Sequence, residues 1–298
     1  LPRLPVPQLE DSLNRYLQWG DGAGWFTGDD LARIADKLYK PAVDLIRPQI
    51  SKIHNIHAWM QSLIAAAAVR MNDRALLDWS INSEFGWRNQ IEKGCNDDGF
   101  WYEGSITYHF YSFAALSSLA MTAGEQGIDL WQTSKLKRML KAPLPLAFRD
   151  GTMPAHNDCW PGGKLSPTPY ELATWAWPKD GFADDLAWIL RINPNKDCDG
   201  WAMVTNSMKT PGTGQPRCSV LGLLYGPKQV EPRDPPKPVS HHFVASGIAI
   251  VQNDAVRVCI RSGPDGGGHD HRDRLNVDVR TTSCLLYTSD AADEGLGV

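Results

Sequence analysis

The 298-residue sequence has no stretch of about 20 apolar residues, so no part of it reads as a membrane span. It has no CxxC pair. Its six cysteines, Cys95, Cys159, Cys198, Cys218, Cys259 and Cys284, stand far apart. That excludes a zinc ribbon and a dense disulfide scaffold, and leaves room for one or two bridges in an exported protein. Positive charge is also scarce: no dense Lys/Arg run occurs and the formal net charge is −4. The basic face that a nucleic-acid partner requires is therefore missing. No methionine and no signal peptide open the chain. Its true start reads as lost, and the missing signal says nothing of destination.

What is present suffices for a large core. The chain is 42% hydrophobic and 21% charged, enough for one large domain or two medium ones. Twelve tryptophans are many; most such indoles are core, and exposed ones make flat platforms for sugar rings. Up to about residue 195 the pattern is helical. Asp29-Asp30 before Leu31, Ile34 and Leu38 starts one helix, and Ile56, Trp59, Met60, Leu63, Ile64 and Ala67 mark another. Further helices are predicted around Leu76–Ile81 and Tyr108–Leu119, and one from Leu136 that Pro143 and Pro145 close. Residues 196–240 form a Gly/Pro-rich connection with Pro232, Pro235, Pro236 and Pro238. Beyond it, Phe243–Val251, Ala255–Ile260 and Leu275–Val279 carry strand signals. Helices followed by strands predict an α+β chain of two domains, 1–195 and 241–283.

Three segments concentrate chemistry. In His54-Asn55-Ile56-His57-Ala58-Trp59, helical spacing puts Asn55 and Trp59 on one face and the histidines on a neighbouring one. Two surface histidines and a buried tryptophan explain it equally well. In Asp98-Gly99-Phe100-Trp101-Tyr102-Glu103-Gly104-Ser105-Ile106-Thr107-Tyr108-His109, a turn leads into a helix; Tyr108 is a core tyrosine or a reactive one. The third, Gly266-Gly267-Gly268-His269-Asp270-His271-Arg272-Asp273, is the least ordinary. Extended backbone would point His269 and His271 the same way, toward a metal, a substrate or merely solvent.

These segments, in this order, resemble the heparinase II/III and alginate lyase superfamily of polysaccharide lyases. Met153–Gly162, MPAHNDCWPG, is similar to a loop those enzymes carry after the tyrosine helix. The resemblance implies an incomplete α/α toroid followed by an antiparallel, sandwich-like β-domain, truncated here. It implies cleavage of an acidic, uronic-acid-containing polysaccharide by β-elimination, in a periplasmic or secreted protein. Carried over by position, Asn55, His57, Tyr108 and His269 are catalytic candidates, and His54, Trp59, Trp101, Glu103 and His109 are substrate contacts. His271 would be a ligand of structural zinc whose partners lie downstream. Residues 284–298 begin with a string, Cys284–Glu294, that resembles a translated sequencing adapter. The tail therefore reads as non-native and the zinc site as incomplete.

The implied chemistry is demanding. Removing the C5 proton beside a uronate carboxylate builds an enolate-like dianion, which preorganised donors must stabilise. Asn55 and a protonated His269 suit that task. Tyr108 would protonate the leaving oxygen, and as a base it would need neighbouring cations to lower its pKa. An α/α-toroid glycoside hydrolase with Asp98 and Glu103 as its carboxylates, or a non-catalytic carbohydrate binder, are the alternatives. The modest charge leans toward an unsulfated polyuronate.

Overall fold

The computed structural model describes residues 24–159, 161–193, 204–206, 220–231, 233–237, 239–263, 267–271, 275–281 and 285–288. At 204–206, 220–221, 223 and 285–288 only the backbone is described. About half of the expected connection and most of the expected tail lie outside the described residues. The chain divides into two compact units: residues 1–94 with 115–133, and residues 95–114 with 134–298.

The first unit is helical. Thr27 and Asp30 form a capping box that starts the Gly28–Ile34 helix, which runs through a π-helical turn, Ala35–Tyr39, into Lys40–Ile46. The Asn55–Arg70 helix buries Trp59, Ile64, Ala65, Ala67 and Ala68. Asn72, with φ 54°, turns the chain after it, and the Asp73 carboxylate accepts from the Leu76 N–H at 2.9 Å to start Arg74–Asn82. The Trp87–Gly94 helix follows at once. Its Trp87 indole donates to the Leu116 carbonyl at 2.8 Å, in the second half of the long Ile106–Gly124 helix. The apolar spacing at 55–70 holds for Trp59, Ile64 and Ala67, while Met60 and Leu63 are half-buried and Gln61 and Ser62 are buried; the first turn departs most. There Asn55 and His57 are buried while Ile56 is 44% exposed.

The second unit takes the start of the Ile106–Gly124 helix, the later helices and the strands. Ser134–Lys141 ends where expected, and Pro143 then opens a further single turn, Pro143–Leu146, rather than a loop. Thr168–Ala176, Phe182–Ile192 and Val220–Tyr225 complete the helices. Within the region expected to be wholly helical, β1 (Gly163–Leu165) is a strand, and it pairs antiparallel with β2 (Val204–Asn206) in the expected connection. A five-stranded antiparallel meander follows: β3 (His241–Phe243), β4 (Ile248–Gln252), β5 (Val256–Arg261), β6 (Asn276–Thr281) and β7 (Leu285–Thr288). The single strand expected over 243–251 is two strands, because the chain turns at Gly247. That residue has φ 61°, and a Cβ there would collide with the Gly263 backbone. Ile248, Ile250, Cys259, Arg261, Asn276 and Asp278 are buried in the sheet.

Candidate active site

In the first unit, the loop before the Asn55–Arg70 helix is held from several sides. His54 is its N-cap, not a helical residue, and its Nδ1 accepts from the Ile56 N–H at 3.2 Å. His57 Nδ1 faces the N–H groups of Ser51 and Lys52, both at 3.2 Å. Gln90, fully buried, accepts from the His54 N–H at 3.1 Å and donates to the Lys52 and Phe85 carbonyls at 3.0 and 3.2 Å. Asn55 lies completely buried at the first helical position. Gln90 escaped the sequence reading, since a lone glutamine in an amphipathic helix carries no local signal.

The second unit gathers the tyrosine helix, the MPAHNDCWPG loop and the HxH element. The Asn96 side-chain oxygen accepts from the N–H groups of Asp98, Gly99 and Phe100, which folds the turn ahead of Trp101. Asp98 accepts from the Ser246 N–H at 2.7 Å, tying this turn to the β3–β4 hairpin. Gly104, with φ 81°, lets three groups crowd in: a Cβ would meet Arg261 Nη2 and Asn157 Nδ2 at 2.9 Å and Asp270 Cγ at 3.0 Å. The Ile106–Gly124 helix then presents Tyr108 from its first turn.

Tyr108 and His269 stack face to face, ring centres 3.3 Å apart and planes 9° apart. His269 and His271 lie in a loop rather than a strand, yet they do converge. His269 Nδ1 is 2.8 Å from one oxygen of Asp158, and His271 Nε2 is 2.8 Å from the other. Asp270, between them, points inward and pairs with Arg261 at 2.6 Å in a nearly sealed environment. Arg261 also donates to Asn157 Oδ1 at 2.9 Å, and that oxygen accepts from the His271 N–H at 3.2 Å. Asn157 Nδ2 donates to the Gly104 carbonyl at 2.9 Å. Asn157 sits at φ 57°, a region asparagine tolerates better than most residues. Glu103, wholly buried, places a carboxylate oxygen 3.7 Å from His269 Nε2.

The electrostatics run against one expectation. Burial, then the charges of Asp158 and Glu103, raise the Tyr108 pKa above its ordinary value instead of lowering it. The phenol therefore keeps its proton at neutral pH, which suits an acid and opposes a base. Asp158 is shifted the other way, held below the usual carboxylate range by the hydrogen bonds from His269 and His271.

Four expected substrate contacts are corrected, Glu103 among them because it is wholly buried. Trp59 and Trp101 are each 1% exposed and pack in the core, where no sugar ring can stack on them. His109 is equally buried, and both its nitrogens serve the backbone: Nδ1 accepts from Trp101 N–H at 3.0 Å and Nε2 donates to the Met139 carbonyl at 2.7 Å. Burial pushes its pKa down to about 4. His271 belongs to no group of three ligating side chains with donor atoms within 4.8 Å of one another among the described residues. Its Nε2 is committed to Asp158, and Asp278 lies beside the buried His156 at 3.0 Å. The described residues thus do not complete a zinc site on His271. Glu103 and His269 are two donors that a cation could share.

Residues 26–147 match the family model described as alginate lyase. An alginate lyase of Pseudomonas putida strain GB-1 is 29% identical over 112 residues, 36% of this chain and 27% of that protein. That of strain F1 is 28% identical over 106 residues, 34% of this chain and 27% of that protein. Among solved structures, a heparinase III gene product with methylated lysines is similar, with TM-score 0.58 and 16% identity, covering 95% of this chain and 40% of that one. The heparan sulfate lyase HepC of Pedobacter heparinus gives TM-score 0.51 at 16% identity, covering 91% and 39%. At these identities the likeness is one of fold, and the chain matches well under half the length of each relative. Family model and curated relatives are similar to this chain over its helical part, and the heparinase III structures share its fold, in keeping with the resemblance that the motifs carry.

Proposed function

We propose that the protein is a polysaccharide lyase that cleaves a uronic-acid-containing chain by β-elimination. The observation that carries this reading is the Tyr108–His269 stack, with a protonated phenol lying flat on an imidazole that a carboxylate orients. In the reaction a base removes the C5 proton, the electrons form the C4–C5 double bond, and the C4–O bond breaks. Tyr108 protonates the departing oxygen; its raised pKa suits that role. His269 serves the substrate carboxylate or takes the C5 proton through Nε2. Asn55 donates to the carboxylate without adding charge, and His57 or His54 remains a candidate second base. An incomplete α/α toroid, a sandwich-like β-domain and export to the periplasm or outside the cell belong to the same proposal. So does an unsulfated polyuronate as substrate.

The hydrolase reading loses support. One of its carboxylates, Asp98, caps the Ser246 N–H, and the other, Glu103, is fully buried. The deciding assay follows ultraviolet absorbance of the unsaturated product on alginate, heparan sulfate and glucuronan. Absorbance should rise on at least one, and Tyr108→Phe should lower kcat by roughly 10²–10⁴-fold, the usual weight of a positioned acid, with little change in KM. A flat trace on all three with folded protein rejects the proposal.

A further inference from the structure

We propose that Asp158 is a positioning residue that orients both histidines of the HxH element and fixes their ring protons on opposite nitrogens. An ionised carboxylate only accepts hydrogen bonds. Each imidazole must therefore donate to it, His269 from Nδ1 and His271 from Nε2, across 2.8 Å in both cases. In the neutral rings the lone pair then falls on Nε2 of His269 and on Nδ1 of His271. One carboxylate thus imposes two different tautomers on two histidines only two residues apart.

Asp158 can do this because it is itself held. Its main-chain carbonyl accepts from the Ser105 hydroxyl at 2.9 Å, just ahead of the helix that carries Tyr108. Asn157, its neighbour, bonds to the Gly104 carbonyl, to Arg261 and to the His271 N–H. The aspartate is therefore fixed to the tyrosine's end of the helix and to the histidine loop together. Tyr108 confines the face of the His269 ring and Asp158 fixes its edge. Nε2, on the side of Glu103, is then the nitrogen that can meet a substrate. The catalytic consequence rests on the β-elimination reading; the tautomer assignment does not. Nothing in the residue pattern of MPAHNDCWPG singled out this aspartate, because its partners lie more than a hundred residues away.

The experiment has two arms on the full chain. Multiple-bond proton–nitrogen spectra of histidine-labelled protein, followed up a pH series until each ring carries a single proton, should show His269 protonated on Nδ1 and His271 on Nε2. In Asp158→Ala both patterns should be lost. Asp158→Asn, which keeps the side chain's size but one acceptor oxygen, should preserve at most one of them, and it replaces Asp158→Ala if that variant does not fold. In the ultraviolet assay, Asp158→Ala should lower kcat by about 10–100-fold, as loss of an orienting partner does, with KM nearly unchanged. Added formate should recover part of kcat, since the Asp158 side chain is 43% exposed and a small carboxylate can reach its place. A native spectrum with His269 protonated on Nε2 overturns the proposal, as does a kcat unchanged in both variants. If native protein acts on no uronate polymer, the lyase reading falls and the spectra alone decide the role of Asp158.

Discussion

Gly104 shows how closely the second unit is packed around its candidate site. The residue has φ 81°, and its missing Cβ leaves space that Arg261, Asn157 and Asp270 fill at about 3 Å. Gly104→Ala should therefore suffer both backbone strain and overpacking, destabilising the protein by about 2–4 kcal/mol. Gly127 provides the control: it has φ 73°, but nothing lies within 4 Å of the place a Cβ would take, so Gly127→Ala should cost only about 1 kcal/mol. Urea midpoints at unchanged slope measure both. At this scale the sequence was partly legible. The order of Asn55, Tyr108 and His269 could be read along the chain, and so could the convergence of the two histidines. Asp158 and Gln90 could not, because each acts through partners remote in sequence.

Among the elements, the strands depend on side chains that reach past their own sheet. Arg257 of β5 donates to the carbonyls of Pro145, Leu146 and Ala147 at 2.5–2.7 Å, at the end of the Pro143–Leu146 turn. Those carbonyls have no partner within so short a helix. Its guanidinium also lies over Phe148, 4.7 Å from the ring centre. Arg257→Met would retain much of the stem's packing and remove the donors. It should destabilise by about 3 kcal/mol, through hydrogen bonds made by a charged group to partners left buried. Chemical denaturation against native protein checks this. The pattern at 255–260 revealed the strand; the purpose of its arginine appeared only with the turn it caps.

For the molecule as a whole, acid stability is set partly by His109. Its folded pKa is about 4, below the ordinary value of 6.5, because burial excludes the charged ring. Between those two values the unfolded chain binds a proton that the folded one refuses. Stability is therefore complete above about pH 6.5 and falls as pH drops toward 4, by up to roughly 3 kcal/mol from this group. Protonation would also set a ring N–H against the Trp101 N–H that Nδ1 now accepts. His109→Asn, measured by urea midpoints across that range, should flatten this part of the profile while lowering the plateau. Asp158 acts in a lower window with the same sign: its pKa is depressed, so its contribution is present above the ordinary aspartate range and lost on further acidification.

The sequence by itself determined the helix-then-strand order and most element positions, and it singled out three candidate segments, because hydrophobic periodicity, caps and glycines act over a few residues. It erred where local pattern and long-range packing conflict. Trp59, Trp101 and His109 looked available to a sugar, but core burial claims them. The first turn at 55–57 buries polar groups and exposes an isoleucine, against the periodicity of the helix it starts. The strand over 243–251 became two because Gly247 must pass close to Gly263. Only the tertiary structure decided that Tyr108 keeps its proton and that one aspartate serves two histidines. Both follow from charges and hydrogen bonds brought within a few ångströms by chain segments that no local pattern connects.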